Sequence, residues 1–485
     1  MYLGIDVGTS AIKLCLMGPD GAPRATAEAS LTTDHPFEGA SEQAPQMWWA
    51  GLKRAMADLS SNEIAHVRAV GLSGQMHGAV VLDAAGGPIR PAILWNDGRA
   101  TAECETLHNR DPNIGHLAGV VPMPGFTAPK LAWLAAHEPA VYRKIAHILL
   151  PKDYVGFRLH GRYVTDPSDA AGTLWFDQAQ RAWSPHLCRI SETDLKWLPD
   201  VVQGTAIAGF LTAQASAELG LPKGIPVAAG AGDAAAGAIG IGAIHAEDGF
   251  LSLGTSGQLF VTTDHYSPNP DSRVHAFAHT LDGRWFNMAA MLNGARPMAW
   301  LAALLRRPIA DILAESEGAD ESVPLFLPYL MGERTPHGDA DIRAGFWGLS
   351  ENTSHGALMR AVVEAIAFTF ADAMAALTAA GTRPGHLLAI GGGARSDFLV
   401  QTIADVLSLR IGRGDSAAVG PALGAARLAQ VAASDGDIAD VATKPPITRW
   451  FDPDAKRAER LKPRLAGYRA LYPALKSVNH AISRC

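Results

Sequence analysis

Short apolar runs of strand length alternate with stretches of helical period along most of this chain. The runs at 2–6 (YLGID) and 11–17 (AIKLCLM) predict two strands around a glycine turn, and those at 67–73, 78–83 and 91–95 predict three more. Helical spacing occupies 45–60 and 128–137. The second half repeats the style. Strands at 250–254 (FLSLG) and 258–263 (QLFVTT) bracket another glycine turn, and a long amphipathic helix over 360–381 stops at a glycine. A strand over 387–393 and helices over 396–408 and 420–434 follow. A hairpin and then alternating strands and helices, written twice, predict an α/β fold of two mixed sheets carrying helices. The division falls near residue 245, giving domains 1–245 and 246–485. No low-complexity linker separates them, so the two are expected to form a close cleft. The stretch 452–476 reads as a charged helix on the outside.

Composition narrows the possibilities. A chain of 485 residues exceeds the ~250–300 that one core supports, so two large domains are expected. A net charge of −7 without any Lys/Arg block argues against nucleic acid as a partner. Cys15, Cys104, Cys188 and Cys485 are scattered and form neither a zinc spacing nor a disulfide framework; Cys15 reads as a small core residue. Residues 224–244 carry only Asp233 as a charge, but six glycines, Pro226 and many alanines exclude a membrane span. The chain opens on a strand without a signal-peptide pattern, so a cytoplasmic protein is expected.

Both turns read Gly-Thr-Ser, as Gly8-Thr9-Ser10 and Gly254-Thr255-Ser256. Such a turn offers backbone N–H groups and hydroxyls with little bulk, the parts that hold a phosphate oxygen. A single copy is an ordinary hairpin turn; two copies half a chain apart could face one polyphosphate. Asp6 stands just before the first turn, where a carboxylate could hold Mg²⁺ beside those phosphates, and Ser252 takes its place before the second. Asp233 is a lone acid among Ala, Gly and Ile, open to two readings: an N-cap of the helix that follows, or a base accepting a hydroxyl proton in phosphoryl transfer. Gln75, Met76 and His77 lie in a glycine-flanked break between strands, suited either to structure or to a polar ligand. No P-loop, dinucleotide or protein-kinase signature is present.

The ordered set GIDVGTSAIK, GQMHG, ILWNDGR, MPGFTAPKLAWL, LLPKDY, SDAAGTLWFD, AGAGDAAAGAIG, LSLGTSG, PYLMGERTPH, GFWGL, IGGGARSDF and VGPALGAARLA resembles the FGGY carbohydrate kinases over residues 2–435. The resemblance implies two ribonuclease-H-like domains of the actin/hexokinase superfamily, with ATP and sugar meeting in the cleft between them. It implies Asp233 as proton acceptor, Asp6 acting through Mg²⁺ and the phosphoryl group, and Met76 with His77 as the sugar-binding pair. Gly8, Thr9, Gly254 and Thr255 would face the phosphates, and Gly392, Gly393 and Ala394 the adenosine. The implied reaction is transfer from ATP to D-xylulose, giving the 5-phosphate, and a homodimer is expected on the same ground. Ala234 stands where the family usually has Asn or Gln, which bears on which sugar is taken. Ala136 and Ala357 also replace usual polar residues and read as surface substitutions. The alternatives are a kinase for another ketose or polyol such as ribulose, or a nucleotide-dependent switch on the same fold. A switch needs no base at a sugar hydroxyl, so Asp233, Asp6 and GQMHG favour the kinase.

Overall fold

The computed structural model describes residues 1–319, 323–414, 420–434 and 436–483; Val419 and Cys485 lie outside the described residues. Two mixed sheets dominate. In space the first runs Ile207–Phe210, Pro226–Ala228, Ala69–Gly74, Tyr2–Val7, Ala11–Met17, Pro23–Ser30, with Ala231–Gly232 also paired to Ala69–Gly74. The second runs His275–Ala278, Trp285–Met291, Gly257–Thr263, Asp248–Leu253, His386–Ile390, Ile411–Gly414, Ile447–Phe451. Each sheet is built outward from a glycine-turn hairpin. Tyr2–Val7 pairs antiparallel with Ala11–Met17 and parallel with Ala69–Gly74. Asp248–Leu253 pairs antiparallel with Gly257–Thr263 and parallel with His386–Ile390. Antiparallel neighbours need only a tight turn whereas parallel ones need a long crossover, so the repeated order in sequence becomes a repeated topology. The expected strands at 78–83 and 91–95 shrink to Val80–Leu82 and Ala92–Ile93, which join His147–Leu149 and Glu42–Gln43 in small satellite sheets.

The two halves of the chain exchange parts. Helix Gly420–Ser434 lies on the first sheet, where a Cβ on Gly4 would sit 1.9 Å from the Ala422 carbonyl oxygen and one on Gly71 1.9 Å from that of Ala425. Only glycine permits that approach. The same helix crosses Asp233–Gly240, and its Arg427 guanidinium donates to the carbonyls of Ile239 (2.8 Å) and Gly240 (3.2 Å). A cation on the last carbonyls secures that helix at its C-terminal end. In return, strand His275–Ala278 and the residues after it are tied to the first half. Ala276 N–H donates to Gly119 (2.9 Å), Ala278 N–H to the Gln178 side chain (2.8 Å), and the Thr280 hydroxyl to Gly230 (2.8 Å).

Helix His355–Ala379 is long and apolar enough to cross a membrane, but 78% of its apolar window is buried inside the second half, as the core helix of that half. Ala357 is buried within it rather than on the surface, correcting the expectation, because it falls on the inward face of the first turn; Ala136 is exposed as expected. Helix Ala455–Ser483 runs along the outside of the second half, and Tyr468 anchors it with only 1% of its surface exposed.

Candidate active site

Both sheets line one cavity of about 600 Å³. The first contributes Asp6 and Lys13, the second Ser252, Gln258, Ile390 and Gly391, and the helices Asp233, Ala234 and Pro421. Asp6 and Asp233, 227 positions apart in sequence on a count from the numbering, thus share one space.

Asp233 is the first residue of its helix, with Gly232 as the N-cap and no side chain capping it, so the capping reading is set aside. Its position is held from below. Gly232 N–H donates to the Ser168 hydroxyl (3.0 Å), which donates to Asp166 (2.5 Å), and Asp166 faces the fully buried Lys152 ammonium at 2.9 Å. Burial pushes the Asp233 carboxyl up to about 7, the negative charge of Asp6 adds to that, and the Ala234 backbone N–H opposes it. Asp6 is raised to about 6, again by burial first, with the Ser73 hydroxyl donating to it at 3.1 Å and Lys13 across the hairpin working the other way. A base near neutrality suits proton abstraction from a hydroxyl. Lys13, on the strand after the turn, is a cation on the cavity that the turn motif alone does not point to; its alternation with buried Ile12 and Leu14 was the available signal.

Met76 packs against Gly232, the residue before Asp233, and His77 packs against Gly172. A Cβ on Gly232 would come within 3.0 Å of Met76 Sδ, and one on Gly172 within 2.4 Å of His77 Nδ1. His77 takes a left-handed backbone (φ 70°), held there by Thr127 and Lys130, which donate to its carbonyl at 3.1 and 2.8 Å. Burial depresses the His77 imidazole to about 3, so it is neutral. With Nδ1 against the Gly172 carbonyl at 2.7 Å, Nδ1 carries the proton and Nε2 is left as an acceptor. Phe126 packs 4.3 Å from that ring, and His275 and Phe277 of the second sheet close on Phe126 at 5.9 and 6.2 Å. These walls come from distant segments, which is why no local motif pointed to His275 or Phe277.

The turns differ in what they leave open. The Thr9 hydroxyl donates to Gln75 (2.9 Å) and accepts from the Trp95 indole (2.9 Å), and the Thr9 carbonyl accepts from Gln43 (2.7 Å). Its hydroxyl is thus engaged within the first half, by Gln75 and Trp95. Gly254 and Thr255 are half-buried and exposed, backed by Ala295 N–H on the Gly254 carbonyl (2.7 Å) and Gly294 N–H on that of Thr255 (3.1 Å). Gly391, with φ +90°, rests against Leu253 and Gly254, and Gly392 is exposed. Gly393 and Ala394 are buried, Ala394 within the second core.

Among the described residues no group of three or more His, Cys, Asp or Glu forms a metal cage. Asp6, which lines the cavity with Glu28 and Asp233, fits a Mg²⁺ that arrives with the nucleotide, since that ion is commonly held by one or two carboxylates plus substrate phosphates.

A duplicated hairpin fold around a cleft lined by Asp6, Glu28 and Asp233 is that of an ATP-dependent sugar kinase. Comparison with known proteins agrees: residues 1–240 match the N-terminal domain and residues 249–433 the C-terminal domain of the FGGY family of carbohydrate kinases, and the chain belongs to that family. It is 41% identical to the xylulose kinase of Escherichia coli (strain K12) over 98% of this chain and 99% of the relative. Among solved structures, a "xyloylose kinase" from Brucella ovis superposes with a TM-score of 0.95 at 39% identity, covering 98% of this chain and 99% of the other. A gluconate kinase from Lactobacillus acidophilus gives 0.92 at 26% identity, covering 98% and 97%.

Proposed function

We propose that this protein phosphorylates D-xylulose at O5 with MgATP, giving D-xylulose 5-phosphate and ADP. The observation that carries the reading is Asp233, a carboxylate raised to about 7 on the cavity it shares with Asp6, with Met76 packed against the neighbouring Gly232. Likeness to xylulose kinases over nearly the full chain supports the choice of sugar. The His77 Nε2 acceptor and the Met76 thioether form the wall against which the ketose lies. Asp233 takes the proton of the sugar hydroxyl as its oxygen bonds to the γ-phosphorus and the bond to ADP breaks. Asp6 would hold a magnesium ion, which would supply charge neutralisation on the transferred group, and backbone amides of both turns, with Lys13, orient the phosphates. The Ala234 side chain faces the cavity without a polar atom, so the hydrogen bonds that select the sugar come from elsewhere in the wall.

Domains 1–245 and 246–485, a cytoplasmic location and a homodimer complete the reading; light scattering measures the last. The decisive experiment is coupled ADP release over a panel of ketopentoses, polyols and ketotetroses. Turnover highest with D-xylulose is expected, and no sugar-stimulated turnover from any of them would sink the kinase.

A further inference from the structure

Arg334 is a basic side chain of the second half that reaches across to Trp95 of the first. Its guanidinium lies 5.6 Å over the Trp95 ring, and its charge is felt at both His77 and His275. Those two imidazoles are buried and neutral, held down to about 3. The neighbouring acid, Glu333, is spent on other groups: its carboxylate accepts from Leu292 N–H (2.7 Å), Arg334 N–H (2.8 Å) and the Asn293 side chain (3.3 Å). No hydrogen bond or ion pair joins the Arg334 guanidinium to any described residue.

The turn that carries it is rigid. Glu333 and Asp339 exchange backbone hydrogen bonds at 2.8 Å, and the Thr335 hydroxyl donates to the Arg273 carbonyl at 3.0 Å. The C-terminal helix then grips the turn from outside. Tyr472 OH and His480 Nε2 meet the Asp339 carboxylate at 2.9 and 2.8 Å, and the His337 ring stacks on Tyr472 at 3.6 Å. That helix lies beyond the segment matched by the family model.

A planar fork of N–H donors, desolvated, without a protein acceptor and beside a neutral histidine, suits a ligand with adjacent oxygens. Vicinal hydroxyls or a hydroxyl next to a carbonyl supply that pattern. We propose that Arg334 is a substrate-binding residue that reads neighbouring oxygens of the sugar, and that the C-terminal helix positions it through Asp339. The assignment rests on the sugar-kinase reading above. Because Arg334 comes from one half and His77 from the other, sugar in the pocket draws the two halves together.

The test compares Arg334→Met, Arg334→Lys and Tyr472→Phe with the wild type, measuring KM for D-xylulose and for ATP, and melting temperature. Arg334→Met is expected to raise the sugar KM roughly 30-fold while ATP KM stays within about twofold, the size of one lost charged hydrogen-bond partner. Arg334→Lys recovers part of the loss, and Tyr472→Phe raises the sugar KM severalfold with the same selectivity. Should Arg334→Met melt before assay, the sugar KM of Arg334→Lys decides. An active wild type whose sugar KM is unmoved by these changes overturns the assignment and leaves Arg334 as a latch on Trp95. A wild type without ketose turnover overturns the kinase reading itself, and the assignment with it.

Discussion

The two Gly-Thr-Ser turns have the same letters and different jobs. The first joins Val7 to Ile12 across four residues and closes on itself, Gly8 N–H donating to the Ala11 carbonyl at 3.1 Å. The second joins Leu253 to Gly257 across three and is closed from outside by Gly294 and Ala295. A Cβ on Gly294 would lie 2.4 Å from the Ser256 carbonyl, so that backing requires glycine. Two residues before each turn stand Asp6, facing Lys13, and Ser252, facing Gln258. The first hairpin therefore brings opposite charges to the cavity and the second brings neutral polar groups. Duplication supplied the frame, and divergence at a handful of side chains placed the charge chemistry on one side.

The comparison breaks most sharply at the base. Asp233→Ala is expected to lower kcat by about 10³-fold while ATP still binds, read by steady-state kinetics and nucleotide titration. Near-native turnover would remove Asp233 from the mechanism. Next comes the asymmetry of the turns. Asp6→Asn should cost about 10²-fold in kcat, whereas Ser252→Ala should cost no more than about threefold. Equal losses would mean that the hairpins are functionally equivalent after all. On the other side of the cavity, Gly391→Ala forces a left-handed backbone and crowds Leu253 and Gly254. ATP KM is expected to rise about tenfold with sugar KM unchanged, since the strain of about 1–3 kcal/mol falls on the nucleotide loop alone.

The pH profile gives a smaller effect with a defined sign. Asp233 must be ionised to act, so kcat/KM for the sugar should fall as pH drops through about 7. Removing the Asp6 charge takes away one cause of that elevation, so Asp6→Asn should move the acid limb to lower pH. The same elevation opposes folding: a carboxyl raised in the native state costs stability as pH climbs from about 4, where the unfolded chain ionises, to about 7, and the cost is complete above that. At pH 8, Asp233→Asn should therefore be more stable than wild type, by on the order of 1 kcal/mol, as read by thermal melting. A lower melting temperature would show that the carboxylate is paired rather than strained.

Much of the frame was legible in the chain. Strands Tyr2–Val7 and Ala11–Met17 and helix Gly420–Ser434 fall where apolar periodicity puts them, because their patterns are long and bounded by glycine. Val80–Leu82 and Ala92–Ile93 came out shorter than their apolar runs: they pair in small sheets, and their side chains are shared between the first sheet's core and its neighbour. Asp6 and Asp233 stood out as acids in apolar surroundings, and the cavity joins them. The surroundings of Thr9 and Ala394 were not legible, because they depend on partners far along the chain, Gln75 and Trp95 for the one and the second core for the other.

The sequence by itself determined the repeated hairpins, the order of strands and helices, and which acids could do chemistry. Those are properties of local pattern and of the cost of leaving a charge among apolar neighbours. Only the tertiary structure decided that helix Gly420–Ser434 completes the first sheet and that His275 reaches the pocket from the second. It alone brought the Arg334 side chain over Trp95. Such contacts join segments hundreds of residues apart, and they exist only once both sheets have folded and closed on one another.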